Sequence, residues 1–198
     1  MRVVAGSARG RRLKELQGMD TRPTTDKVKE SLFNIIQFEI QDRKILDLFG
    51  GTGQLGIEAL SRGARHCTFV EMRRDAQALL KENLKVTDLQ NNARVVPGDA
   101  LAFLSSCREQ FDVILLDPPY HTDLMDRAID SILRFDILTE HGIMVCETAA
   151  DRELPPLPEE KFEPGRSYRY GQIKLSIFRR KGKERIDPNE CRHLSGQL

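Results

Sequence analysis

Four stretches of the chain place an acid at or just after the end of an apolar run: KILD at Asp47, CTFVE at Glu71, VVPGD at Asp99 and FDVILLD at Asp117. Such runs read as strands buried on both faces of a parallel sheet, and open parallel sheets bind ligands at the carboxyl ends of their strands. Singly, each acid is an ordinary cap; four in register point to a ligand. Gly51, Gly53 and Gly56 in LDLFGGTGQLGIEAL satisfy G-x-G-x-x-G, by itself a weak dinucleotide signal. Asp47 argues against phosphates, because a carboxylate before the glycines repels a pyrophosphate but accepts a hydrogen bond from an ammonium group. S-adenosylmethionine carries that ammonium and no phosphate. On this reading Glu71, 24 positions after Asp47, accepts the ribose hydroxyls, and Asp99 faces the adenine amino group.

The fourth stretch continues as DPPY, residues 117–120, where Pro118 and Pro119 forbid the strand to go on. It falls beside the methyl of the proposed cofactor. Here the sequence resembles the amino-methyltransferases, whose [D/N]-P-P-[Y/F/W] motif acts on exocyclic or amide nitrogens. The exocyclic amine of a base is a poor nucleophile, its lone pair being delocalised into the ring. Asp117 Oδ and the Pro118 carbonyl both accept from that amine and favour a more tetrahedral nitrogen. The prolines aim the carbonyl, and Tyr120 offers a stacking face worth about 1–3 kcal/mol per base in nucleic-acid sites. The plainer alternative is a turn cap at Asp117 and a packing ring at Tyr120.

The elements that must hold these residues alternate from residue 45 onward: KILDLF then a helical pattern over 54–62, CTFVE then 73–86, ARVVPGD then 100–107, FDVILLD then 124–134, and GIMVCE. Strand and helix in turn predict a parallel sheet with helices on both faces. FEPGRSYRYGQIKLSIFRR alternates around Gly171 and reads as an antiparallel hairpin on the sheet edge. Upstream, TTDKVKESLFNIIQF carries Val28, Leu32, Phe33, Ile35 and Ile36 at helical spacing, with Thr24 or Thr25 as N-cap, and should pack across the sheet. MRVVAGSARGRRLKEL suggests a small hairpin bearing Arg9, Arg11 and Arg12. ELPPLPEE is a proline-rich connection, and residues 182–198 show no periodicity, so a poorly ordered tail is expected.

At 198 residues the chain fits one domain with a core that needs no staples. No stretch approaches the roughly 20 apolar residues of a membrane span, and a soluble, cytoplasmic protein is expected. Cys67, Cys107, Cys146 and Cys191 are far apart, without zinc-type spacing, so no metal is called. The net charge of +1 hides a strong asymmetry: eight Lys/Arg against three acids over residues 1–29, nine against two over 161–185, and thirteen against twenty-three between. Basic ends around an acidic body suit segments that touch nucleic-acid phosphates.

Motif order, together with MRVVAG, RGRRL, TRPTTDKVKESLFN, LDLFGGTGQLGIEALSRGA, GD, DPPY and YGQIKLSIFRR, is similar to the RsmD family of bacterial 16S ribosomal RNA guanine-N2 methyltransferases over residues 1 to about 180. The resemblance implies a Rossmann-like class I methyltransferase: α/β, with a mostly parallel seven-stranded sheet, an antiparallel C-terminal edge hairpin and a small N-terminal β-hairpin. The expected layout is a basic extension at 1–20, the methyltransferase domain at 21–181 and a tail at 182–198. The implied reaction is methylation of one guanine of 16S rRNA, within the 30S subunit or a late assembly intermediate, by a monomer. The resemblance assigns Asp47, Phe49, Gly51 and Gly53 to the methionine side of the pocket, Glu71 to the ribose, Asp99 with Ala100 to the adenine, and Asp117, Pro118 and Tyr120 to the base. Arg22, Thr24 and Asn34 fall in the N-terminal motif near the pocket mouth, Asn34 toward the cofactor and the other two toward RNA. Gly50 stands where alanine is more usual, which should only loosen the loop. With no separate recognition domain, the hairpin with Arg9, Arg11 and Arg12 and the loop around Arg166 and Arg169 are expected to grip folded RNA by shape and phosphate. Competing readings are an adenine-N6 DNA methyltransferase, which lacks room here for a target-recognition domain; a glutamine methyltransferase, which more often has Asn at the Asp117 position; a non-catalytic ribosome-assembly factor; and an NAD oxidoreductase, for which no hydride partner is offered.

Overall fold

The computed structural model describes residues 1–16, 26–120 and 122–182. Its elements are α1 (Asp26–Ile35), a 3-10 turn (Gln37–Glu39), β1 (Lys44–Asp47), α2 (Gln54–Ser61), β2 (His66–Glu71), α3 (Arg74–Thr87), β3 (Ala93–Pro97), α4 (Ala100–Ser106), β4 (Phe111–Leu116), α5 (Leu124–Arg134), β5 (Leu138–Ala149), β6 (Arg166–Tyr170) and β7 (Ile173–Arg179). The seven strands form one sheet in the order β3-β2-β1-β4-β5-β7-β6. β1 to β5 are parallel, while β7 runs antiparallel to β5 and β6 antiparallel to β7. The expected α/β sheet and its C-terminal edge hairpin are both present. Strand order reverses between β1 and β4, where open sheets hold ligands.

Two apolar layers sandwich the sheet, because successive side chains of a strand point to opposite faces. Ile45, Phe69, Val113, Leu115, Val145 and Leu175 meet α1, α2 and α3 through residues such as Leu32, Phe33, Ile57 and Leu80. Leu46, Val70, Ile114, Leu116 and Met144 meet α4 and α5 through Leu104, Met125, Ile129 and Ile132. α1 therefore packs across the sheet as its periodicity requires; its candidate caps Thr24 and Thr25 lie outside the described residues. The proline-rich connection is tied down by Leu154 and Leu157, which pack on the second layer. No helix among the described residues is long and apolar enough to cross a membrane.

Two elements depart from expectation. β5 begins at Leu138, ahead of GIMVCE, and its register against β4 shifts between Phe111 and Val113. His141, with φ of 60°, and Gly142 lie in that shifted stretch. The N-terminal hairpin is reduced to one isolated bridge, Arg2 to Arg12, flanked by Val3 N donating to Arg11 O at 2.9 Å and Leu13 N to Met1 O at 3.0 Å. A longer ladder does not form because the backbone of residues 4–8 bonds to α2. Val4 N and Ala5 N donate to Glu58 Oε2 and Oε1 at 2.8 and 3.0 Å, and Ala8 N donates to Ser61 Oγ at 2.9 Å. Gly6, with φ of 83°, is required there, since a Cβ would lie 1.8 Å from Ser61 O.

Candidate active site

The glycine loop is shaped by the acids around it. Gly53 has φ of 88°, and a Cβ would lie 2.2 Å from Leu80 Cδ1, so only glycine lets the chain turn into α2 against α3. Asp47 Oδ2 accepts from Gly56 N at 3.0 Å, fastening the first turn of α2 to the end of β1. Glu71 accepts from Gly51 N at 2.8 Å and from Arg73 N at 2.7 Å, which fixes its carboxylate at the end of β2. Burial, with a smaller push from Glu71, raises the Asp47 carboxyl to about 7 despite the Gly56 N–H. A buried acid so disfavoured as an anion is a ready partner for a ligand cation. Phe49 is half-buried and rests on the second apolar layer. At Gly50 a Cβ would stand 3.3 Å from Phe69 Cβ, so an alanine there would be a tight fit.

DPPY leaves the end of β4 on the same sheet face as Asp47. Leu116 pairs with Cys146, so Asp117 lies beside Glu147 of β5, and alternation puts Asp47, Asp117 and Glu147 on the α1 side. Burial, then the Glu147 carboxylate, then Asp47 push the Asp117 carboxyl well above the usual carboxylate range. Tyr120 Oη donates to Glu147 Oε1 at 3.2 Å, which holds the ring beside Asp117. Pro118 is buried and Pro119 exposed. The loop is tied from below: Thr122 Oγ1 donates to the Pro119 carbonyl at 2.8 Å, and Arg152, paired with Asp126 at 3.1 Å, donates to the Thr122 carbonyl. Glu147 lies outside the four acids that the sequence analysis singles out, yet it carries the same signal, since GIMVCE ends in an acid as the other four parallel strands do or nearly do.

The remaining candidate residues divide. Asp99 is exposed and serves as N-cap of α4, accepting from Ala102 N at 2.9 Å, so the cap reading is realised; Ala100 follows it, buried, in the first turn. Asn34 sits on the exposed side of α1. Arg9, Arg11 and Arg12 are exposed on the N-terminal arm. Arg166 and Arg169 lie on the edge strand β6 rather than in a loop, because residues 166–170 pair with β7. Arg166 borders a cavity of about 280 Å³ with Tyr168, Glu163 and Arg179, and Arg169 Nε donates to the Gly171 carbonyl. Arg22 and Thr24 lie outside the described residues.

Residues 1–179 match the model of the family described as "Conserved hypothetical protein 95". The chain is 40% identical over 185 residues to "Putative rRNA methyltransferase YlbH" of Bacillus subtilis, covering 92% of this chain and 100% of that one. It is 33% identical over 187 residues to "Ribosomal RNA small subunit methyltransferase D" of Escherichia coli strain K12, covering 94% and 93%. The chain belongs to the RsmD family. The sheet of this RsmD-family protein also superposes on a solved structure titled "Putative methyltransferase yhhF from Escherichia coli", with a TM-score of 0.83, 33% identity, and 92% and 99% of the two chains covered. The methyltransferase fold expected of RsmD proteins is thus the fold observed.

Proposed function

We propose that this protein transfers a methyl group from S-adenosylmethionine to the exocyclic N2 amine of one guanine in small-subunit ribosomal RNA, with the base extruded and held by DPPY. The observation that carries the reading is the trio Asp47, Asp117 and Glu147 on one face at the strand ends, two of them with raised carboxyls, in a chain of the RsmD family. The residues fit the cofactor. Asp47 offers a buried acid for its ammonium group, the turn at Gly51 and Gly53 leaves backbone open to its methionine portion beside Phe49, Glu71 is oriented for ribose hydroxyls, and Asp99 with Ala100 borders the adenine. Asn34 at the end of α1 closes the mouth. When bound, S-adenosylmethionine supplies a methyl group on a sulfonium, already an excellent leaving group.

What the chain adds is placement and a proton acceptor. Asp117 Oδ and the Pro118 carbonyl accept the two amine hydrogens and turn the nitrogen lone pair toward the methyl. Tyr120 stacks on the base, its ring held by Glu147. The ionised form of Asp117 takes up the proton shed by the methylated amine. The exposed Arg9, Arg11, Arg12, Arg166 and Arg169, with Arg22 and Thr24, contact RNA phosphates. The substrate is folded RNA in the 30S subunit or a late intermediate, and the enzyme acts as a monomer.

The test is transfer of labelled methyl to unmodified small subunits, with naked 16S RNA and duplex DNA alongside, followed by digestion to nucleosides. Label in N2-methylguanosine from subunits is expected. Label in N6-methyladenosine, or only in DNA, overturns the substrate while sparing the mechanism; no label at all favours a non-catalytic assembly factor.

A further inference from the structure

The N-terminal arm and the glycine loop share one buried side chain. Asn83 of α3 is fully buried, and its amide makes three hydrogen bonds. Oδ1 accepts from Lys14 N at 2.7 Å, while Nδ2 donates to Lys14 O at 3.1 Å and to Thr52 O at 2.9 Å. The orientation is forced, because a flipped amide would set Nδ2 against the Lys14 N–H. Thr52 stands between Gly51 and Gly53, both at positive φ, where no regular ladder fixes the chain. The Asn83 amide therefore supplies what the glycines do not, a fixed direction for the loop carbonyl, and uses its other groups to seize the arm. On its other side the arm is latched to α2, the helix that the loop opens, through Glu58 and Ser61. Arm and loop thus meet at the same two helices, α3 and α2.

We propose that Asn83 is a positioning residue that holds the RNA-gripping arm and the cofactor loop in one register, so that binding of cofactor and binding of RNA favour each other. Coupling of this kind is reciprocal: whatever RNA on the arm does for the cofactor, the cofactor does equally for RNA. The RNA half rests on the reading of Arg9, Arg11 and Arg12 as phosphate contacts; the cofactor half does not.

Asn83→Asp is the sharpest variant. It keeps the acceptor for Lys14 N–H and sets an oxygen against the carbonyls of Lys14 and Thr52. The Kd for S-adenosylhomocysteine and the KM for small subunits are expected to rise together, each about tenfold, a size typical of coupled sites, with kcat at saturation nearly unchanged. A purely structural role lowers Tm and the active fraction while leaving Kd and KM of the folded protein where they were, and that result overturns the proposal. Should Asn83→Asp fail to fold, amide exchange in the wild-type protein decides. Saturating S-adenosylhomocysteine should slow exchange at Val4, Ala5 and Lys14, and unchanged rates there overturn the coupling. Absence of S-adenosylhomocysteine binding to the wild-type protein, measured alongside, overturns the cofactor reading as well and so is distinguishable.

Discussion

Among the described residues, two places bury carboxylates almost completely, and the charges recorded around them differ. Glu58, 0% exposed, lies where the arm meets α2 and is matched on every side: two backbone N–H groups, Arg62 Nε at 2.8 Å and the buried Lys29 ammonium at 3.5 Å. Burial pulls the Lys29 ammonium below its usual range, and Glu58 and Asp26 pull it back. At the strand ends Asp47 is 2% and Glu147 3% exposed, yet the charges felt by Asp47 and Asp117 come from other carboxylates. Burial alone does not mark a working acid. A carboxylate matched by cations holds structure together, whereas Asp47 and Asp117 are raised by burial and by neighbouring carboxylates, the setting in which an added cation gains most.

The comparison breaks if the two sites respond alike to mutation. Asp117→Ala should lower kcat by about 10²–10³-fold, the usual cost of removing one positioned transition-state contact, with Tm and cofactor affinity little changed. Glu58→Ala should do the reverse, leaving buried Lys29 unmatched and lowering unfolding stability by about 3–5 kcal/mol in denaturant titration, while the folded fraction retains kcat.

pH separates the sites further. Asp47 holds its proton up to about 7 in the cofactor-free protein, against an ordinary value of 3.8, so between those values the folded state binds more protons than the unfolded one. The contribution of this group to stability therefore falls as pH rises through that window. Binding of the ammonium group needs the ionised form and releases the proton, so cofactor affinity should strengthen about tenfold from pH 6 to pH 8. Calorimetry should find that rise absent in Asp47→Asn, whose cofactor-free form should be the more stable at pH 8. The smallest effect is expected from Arg11→Glu with Arg12→Glu: a several-fold higher KM for subunits, the difference from wild type shrinking as salt rises, with cofactor affinity in the absence of RNA intact because the arm is latched by its backbone. An unchanged KM would remove the arm from the RNA footprint.

How far the sequence is legible follows from the range of the interactions. KILD, CTFVE and FDVILLD declare their strands, their order along the chain and the acids at their ends, because each signal is local and period or punctuation carries it. Glu147, closing GIMVCE, is an equally local signal. Asn83 and Glu58 lie mid-helix among ordinary polar residues, and their partners, Lys14 and Val4, are 69 and 54 positions away. No spacing rule connects them. The short bridge in place of a full hairpin has the same origin, since α2 claims backbone groups that a local reading assigns to a cross-strand partner.

That distance also orders events in time. The arm is synthesised first, yet the side chain that seizes Lys14 belongs to α3 and emerges 69 residues later, a delay of several seconds at about 5–20 residues per second. Until then the arginines of the nascent chain have no fixed arrangement, so the arm takes its geometry only together with the helices that shape the glycine loop.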